Sequence, residues 1–591
     1  MKKRSQIQDK YKWKISDIYS NEDLLLKDID EIKNHIEVVK TYKGKLNNKK
    51  TILEFLNMEE RLDLIGEKVG AYLFLNHSEN LETQKYVQLL NTVQAISTQL
   101  SVASSFVESE MLENGEEFLI NLANDKDMAN FRLDILELVR SKPHILDESE
   151  SKLVSQVSSF AGGYSDVFDN IDALDVKFQD FEVNGKKYKV NNSNVGLLAE
   201  NKNPEIRANA FKNLHQGYMA LANTIATNYI ENLKVDKFYS EVHHHNNTLE
   251  SSLFGNNLPV EIYNNLIKNV NKNVKLNHEY LRLRKKFLKL KNLTYSDLRV
   301  SLVDYEKKYT YDQMCDTIVD ALGVMGEDYV SVVKSAISGG WIDVYPTEGK
   351  ETGGYCLGVY GVHPYILLNT VDNMDSMFTL VHEMGHAMHS YLSDTTQTYN
   401  NSQYPIFLAE IASTTNEVLL LKYLYSKATT RKEKIYLLDK YIRMIRSTLF
   451  RQTMFSEFED FAHKLVENNE PISKEILTNE YGRLNKVYHG TAVKPCKEIT
   501  YEWLRIPHFY RAYYVYKYAT GITSAVCIAS KILKGESPAG LIEFLSSGGS
   551  DYPNEILKRM GVDLTTDEPY NEIFGEMEWA IKELKKLVST K

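Results

Sequence analysis

The stretch Val381-His382-Glu383-Met384-Gly385-His386-Ala387-Met388-His389 constrains this chain more than any other, because its His-Glu-x-x-His spacing has a chemical meaning only on a helix. Positions i and i+4 share one helix face, so His382 and His386 can bind a single metal ion. Glu383 sits one position round the helix, within reach of a water on the open side of that metal. The pattern predicts the layout of a zinc peptidase; the alternative is a helix carrying two packed histidines and a solvated glutamate. The flanks favour burial. Ser376-Met377-Phe378-Thr379-Leu380-Val381 leads in with apolar residues, and Gly385 is predicted to let a neighbouring backbone approach, at a small cost in helix propensity.

Two histidines hold zinc weakly, and catalytic sites take a third protein ligand. The candidates downstream are His389, Asp394, Glu410 and Glu417. His389 shares the helix face but lies about 10 Å along the axis from His382, too far to share an ion with His386 as well. Asp394 follows before the chain can turn back. Glu410 falls in the apolar, helical segment Ile406-Phe407-Leu408-Ala409-Glu410-Ile411-Ala412, where metal ligation is the most economical reason for a carboxylate. Glu417, seven residues on, presents nearly the same face. It either receives the outer N–H of a ligand histidine or is a partly exposed helix charge.

Around this motif the composition is that of an ordinary globular protein: 591 residues, 43% hydrophobic and 25% charged. A net charge of −10 and the lack of a basic stripe argue against nucleic-acid or anionic-membrane partners. Neither a secretory h-region nor a bilayer-length apolar run is present, and Cys315, Cys356, Cys496 and Cys527 form no CxxC pair. The expected setting is the cytoplasm.

Only 12 prolines predict a mostly helical chain. Residues 14 to 150 read as successive amphipathic helices, with Gln84 to Leu112 as one long helix and a break at Ser141-Lys142-Pro143-His144. Leu174-Asp175-Val176-Lys177-Phe178 alternates. Phe181 to Val190 then reads as a strand, an Asn184-Gly185 turn and a strand. Helix resumes at Asn203-Pro204. His243-His244-His245 invites a metal reading, but consecutive residues of an extended chain point to alternate faces and no second ligand motif lies nearby. Residues 248–257 read as a loop before a helix over Pro259–Leu288. The segment Gly340 to Asn369 is extended again and predicts a small β-sheet beside the motif helix. Its Gly353-Gly354-Tyr355 strand is either an edge that accepts an extended peptide or a structural hairpin.

The chain resembles the oligoendopeptidase F branch of the thimet-oligopeptidase-like family of zinc metallopeptidases. The residues that carry the resemblance are His382-Glu383-Met384-Gly385-His386, Leu408 to Glu417, Ile506-Pro507-His508-Phe509-Tyr510, Tyr514 to Gly521 and Ser546 to Pro553. The resemblance implies a mostly α-helical, two-lobed clam with one Zn2+ per chain deep in a central channel that admits short unfolded peptides. It implies zinc on His382, His386 and Glu410, with Glu383 as general base. It also implies oxyanion donors from His508 and a tyrosine, of which Tyr514 is the first choice and Tyr518 the next. Substrate contacts are expected from Gly354, Tyr355 and Tyr518, and support of a ligand histidine from Glu417. The expected organisation is a helical region over 1–115, the rest of an N-terminal lobe with the hairpin over 116–200, and a catalytic domain over 201–591.

Tyr510, Tyr514 and Tyr518 are spaced as one helical stripe, with Tyr513 and Tyr516 beside it; most aromatics in such a stripe are core. The α-helix there is expected to begin after His508. Cys356 stands where the family carries a small residue, often serine. Two other functions remain open on sequence: a zinc exopeptidase using Arg505 or Arg511 as a carboxylate stop, and a non-catalytic peptide binder.

Overall fold

The computed structural model describes residues 2–589 of the protein, and 71% of the chain is helical. The strands among the described residues are short: β1 (Phe181–Val183), β2 (Lys186–Tyr188), β3 (Ile342–Asp343), β4 (Tyr355–Leu357) and β5 (Tyr365–Leu367). The chain packs as two compact units. One comprises Met1–Pro143, Glu306–Leu420 and Ile528–Gly561; the other comprises His144–Tyr305, Leu421–Cys527 and Val562–Lys591.

In the first unit, Leu25, Ile29, Ile32 and Ile36 form the apolar stripe of the helix Glu22–Lys40, which Asn21 caps by accepting the Leu24 N–H at 3.2 Å. The stripe joins Phe55, Val69 and Leu73 of the helix Lys49–Glu79, and Tyr365 and Leu367 of β5, in one hydrophobic core. The sheet order is β3-β5-β4. β5 is the buried central strand, parallel to β3 and antiparallel to half-buried β4, with Cys356 opposite Ile366. β4 is therefore an edge. Lys350 pins this sheet from within: its buried ammonium lies 2.6 Å from Asp343 Oδ1 and donates to the carbonyls of Tyr345 and Leu368.

In the second unit, the helix Val260–Phe287 buries Ile262, Leu266, Val270 and Leu281, and the helices Arg431–Ile445 and Arg451–Glu467 are joined by a π-turn at Arg446–Phe450. β1 and β2 make the hairpin that Asn-Gly predicts, with Asn184 and Gly185 at φ 52° and 76°. Asn203 caps the helix Pro204–Ala220, with Pro204 at its first position.

Several local expectations from the sequence do not hold. The single helix over Gln84–Leu112 is two, Gln84–Ser104 and Val107–Glu113. Between them, the hydroxyls of Ser104 and Ser105 bond back to the carbonyls of Ser101 and Val102, competing with the main-chain ladder. Alternation over 174–178 makes no strand: Ile171–Asp175 is a π-turn, and Phe178 fills the space above Gly217. Residues 248–254 are a helix rather than a loop, because Asn247 accepts the Glu250 N–H at 2.9 Å.

His243-His244-His245 is neither extended nor a metal cluster. It closes the helix Ala222–Val242, with His244 at φ 59°. His243 and His144 bond reciprocally to each other's carbonyls through Nδ1, and His144 stacks on His245 at 3.9 Å. The tyrosine stripe is also broken. Tyr510 lies in the 3₁₀ turn Pro507–Tyr510, Tyr513 takes φ 50°, and the helix proper starts at Tyr516. It does start after His508.

Candidate metal centre

Asn373 sets where the motif helix begins. Its side chain accepts the Ser376 N–H at 2.8 Å, starting a helix that runs Met374–Thr396. Met377, Val381, Met384 and Met388 are buried. The helix Ile406–Lys427 crosses it in backbone contact at Gly385, where a Cβ would stand 2.5 Å from Ser413 Cα and 2.8 Å from Ala412 O. This close crossing carries Glu410 to the histidines.

His382 Nε2 lies 3.6 Å and His386 Nε2 3.9 Å from Glu410 Oε2. Among the described residues, His382, His386 and Glu410 form the one group of three such side chains able to hold a metal ion, with one ligand atom from each all within 4.8 Å of one another. The donor chemistry fits. Glu417 Oε1 is 2.7 Å from His382 Nδ1, and a carboxylate can only accept, so Nδ1 carries the proton. In neutral His382, the form that binds a metal, the lone pair is then on Nε2, the atom that faces Glu410. Ser413, which sequence reading passed over, donates to Glu410 Oε2 at 3.2 Å; its only signal was a hydroxyl one turn after the carboxylate.

Glu383 is 7% exposed. Burial pushes its carboxyl up to about 7; the His382 charge pulls the other way, and Glu410 and Glu417 add to the rise. Burial opposes protonation of His382, but the Glu417 hydrogen bond and the three neighbouring carboxylates outweigh it and lift the ring to about 9. Burial and the His382 charge hold His386 down at about 3.

β4 passes over this helix. A Cβ on Gly354 would meet Thr379 Cγ2 at 3.1 Å and lie 3.7 Å from Glu383 Oε1, so the absent side chain is what brings this strand to the carboxylate. The Tyr355 ring turns the other way, against Phe74 and Trp13. Burial, with Glu383 and Asp394 nearby, drives the Cys356 thiol well above its usual range, so it stays protonated. His389 is fully buried, stacked on Tyr404 at 3.6 Å, and lies outside the ligand group, as does Asp394.

His508, Tyr514 and Tyr518 belong to the second unit and gather there. His508 Nε2 is 3.3 Å from the Tyr518 hydroxyl, and the Tyr514 ring lies 5.8 Å from His508 and 5.6 Å from Tyr518. All three are half-buried, whereas Tyr510, Tyr513 and Tyr516 are core. Arg505 is taken up by Glu502 at 3.3 Å, and Arg511 lies over the Tyr514 ring. No described helix is long and apolar enough to cross a membrane.

Comparison with known proteins places the chain in a family. The profile of peptidase family M3 matches residues 197–576, and that of oligopeptidase F matches residues 110–178. Oligopeptidase PepF of Bacillus subtilis is 36% identical over 99% of this chain and 88% of its own length. Group B oligopeptidase PepB of Streptococcus agalactiae is 32% identical over 99% and 98%. The crystal structure of oligoendopeptidase-F from Enterococcus faecium, 28% identical, superposes with a TM-score of 0.76 over 96% of this chain and all of its own. With one profile spanning most of the sequence and relatives aligned along its whole length, the chain belongs to peptidase family M3.

Proposed function

We propose that the protein is a zinc-dependent oligoendopeptidase that hydrolyses internal bonds of short, unfolded peptides. The observation that carries this reading is the convergence of His382 Nε2, His386 Nε2 and Glu410 Oε2, with the buried Glu383 carboxyl beside them. A Zn2+ held by these three side chains would supply Lewis-acid polarisation of a peptide carbonyl and would acidify the attacking water.

The remaining chemistry belongs to the chain. Glu383 accepts the proton of the attacking water and passes it to the leaving amine, a role that suits a buried carboxyl beside the ligands. Glu417 holds His382 in one tautomer. The main chain of Gly354 and Tyr355, at the start of the edge strand β4, takes an extended peptide by strand addition, since the Tyr355 ring is already committed to packing. His508 is assigned the developing oxyanion, with Tyr514 and then Tyr518 as hydroxyl donors, on family resemblance and on their clustering. Four cysteines scattered singly along the sequence suit a reducing cytoplasm. The engagement of Arg505 with Glu502 disfavours its use as an exopeptidase end-stop.

The test is Glu383→Gln. We expect stoichiometric zinc and a turnover of internally quenched peptides reduced by about 10³-fold or more, near the scale of losing an essential catalytic group. Wild-type turnover in this variant overturns the assignment. Amidating the C-terminus of a good substrate should leave cleavage intact; an exopeptidase would lose it.

A further inference from the structure

Glu459 lies on the helix Arg451–Glu467 and is fully buried, yet no lysine or arginine forms an ion pair with it among the described residues. A buried carboxyl in no direct ion pair, with only the more distant Lys517 charge to offset it, is costly, and an apolar side chain of the same size would serve packing better. Its Oε1 accepts one hydrogen bond, from the main-chain N–H of Tyr513 at 2.7 Å, and Oε2 has no partner.

Tyr513 is where the chain turns between the 3₁₀ turn Pro507–Tyr510 and the helix Tyr516–Leu533, with φ at 50°. A left-handed conformation in a bulky residue is unfavourable and persists only where its surroundings over-determine it. Those surroundings come largely from one helix. Besides Glu459, Asp460 accepts the Tyr513 hydroxyl at 3.3 Å and His463 stacks on its ring at 4.8 Å. Ser252 Oγ holds the preceding carbonyl, Ala512 O, at 3.1 Å. The neighbouring turn bonds stay local: Tyr514 N–H reaches Arg511 O and Lys517 N–H reaches Tyr514 O. The Tyr513 N–H is instead satisfied from outside the turn, by Glu459.

We propose that Glu459 is a positioning residue for the His508–Tyr514–Tyr518 cluster: by accepting the Tyr513 N–H it holds the left-handed turn that aims the two tyrosine hydroxyls. The inference rests on the reading of that cluster as oxyanion donors. Glu459 touches no substrate; it acts one residue away, through the backbone that carries Tyr514. Misaiming a donor by about 1 Å is enough for a loss near 10²-fold, so kcat should respond and KM should not.

The experiment uses the full chain loaded with zinc and compares Glu459→Gln, Glu459→Leu, His508→Ala and Glu459→Leu with His508→Ala. Readouts are kcat and KM on a quenched peptide, zinc content and thermal melting. Gln keeps an acceptor oxygen and should stay within about threefold of wild type, whereas Leu should lose about 10- to 100-fold in kcat with KM and zinc unchanged. In the His508→Ala background the Leu substitution should add no more than about a twofold loss, because both act on one cluster.

Wild-type kcat in Glu459→Leu, equal losses in Gln and Leu, or full multiplication of the two losses overturns the proposal. Should Glu459→Leu not fold, replacing Tyr513 by its α-hydroxy acid deletes the N–H alone; a kcat unchanged by that ester overturns it equally. If His508→Ala, Tyr514→Phe and Tyr518→Phe all keep wild-type kcat, the donor reading itself fails, an outcome separate from any effect at Glu459.

Discussion

Gly385 and Ser413 meet backbone to backbone: a Cβ at Gly385 would stand 2.5 Å from Ser413 Cα. The two helices of the metal centre can cross at this distance only because one of them carries no side chain there. Glu410 and Ser413 are one turn apart, so the crossing and the third ligand are coupled through a single helix face.

Gly385→Ala should therefore do more than its helix propensity suggests. Alanine ordinarily stabilises a helix by about 1 kcal/mol relative to glycine, but here it must push the Glu410 helix away. We expect a lower melting temperature and at least a tenfold weaker metal affinity, measured by competition with a fluorescent chelator. Wild-type affinity in Gly385→Ala would show that the crossing distance does not govern the site.

Glu417 acts on the metal only through His382. Removing the acceptor of the Nδ1–H, as in Glu417→Ala, should weaken metal binding by about 10- to 100-fold, with Glu417→Gln in between because its amide oxygen still accepts. The fold should survive both changes, since the side chain keeps 22% of its surface exposed and lies at the metal centre rather than in the apolar core. Equilibrium dialysis of the three proteins against buffered zinc measures the series.

Lys350 and Asp343, the latter on β3, are both buried and 2.6 Å apart. Lys350→Met leaves Asp343 with Arg4 alone and removes a donor from three main-chain carbonyls, of which Asp343 O keeps the Leu368 N–H. A loss of about 3 kcal/mol in unfolding free energy is expected, within the range for breaking a buried pair. Urea unfolding followed by circular dichroism is the check.

Asp236 supplies a pH dependence away from the metal. Burial lifts its carboxyl to about 7, against about 3.9 in an unfolded chain. The folded state binds the proton more tightly, so the contribution to stability is complete below about pH 4, declines as the pH rises, and is gone above about 7. Its neighbours do not reverse this: the Asn232 amide donates at 3.1 Å, and His463, 3.9 Å away, is held neutral by burial down to about 3. Asp236→Asn should match wild type near about pH 4 and exceed it by a few kcal/mol at about pH 8, since each tenfold difference in proton affinity is worth about 1.4 kcal/mol. Parallel stability curves for the two proteins would refute it.

The readable parts of the molecule were those whose partners lie on one element or across one turn. The i, i+4 histidines, the Asn-Gly hairpin and the Asn203-Pro204 helix start each depend on a spacing of a few residues. The Asn247 cap is equally local, but the polar run around it reads equally well as a loop. The tyrosine stripe failed for a different reason. A period of four was carried straight through Tyr513, where the chain turns left-handed to meet a carboxylate 54 residues earlier in the sequence.

By itself the sequence determined the metal chemistry: two histidines and a glutamate on one turn of helix, a carboxylate placed later in an apolar segment, and a glycine where a neighbour must come close. Those features follow from helix geometry and the cost of burying charge, which act locally. Only the tertiary structure decided that Glu417 fixes the tautomer of His382 and that Glu459 meets the main chain at the turn before Tyr514. Each is one hydrogen bond between side chains or segments that folding alone brings together, and no periodicity records such a contact.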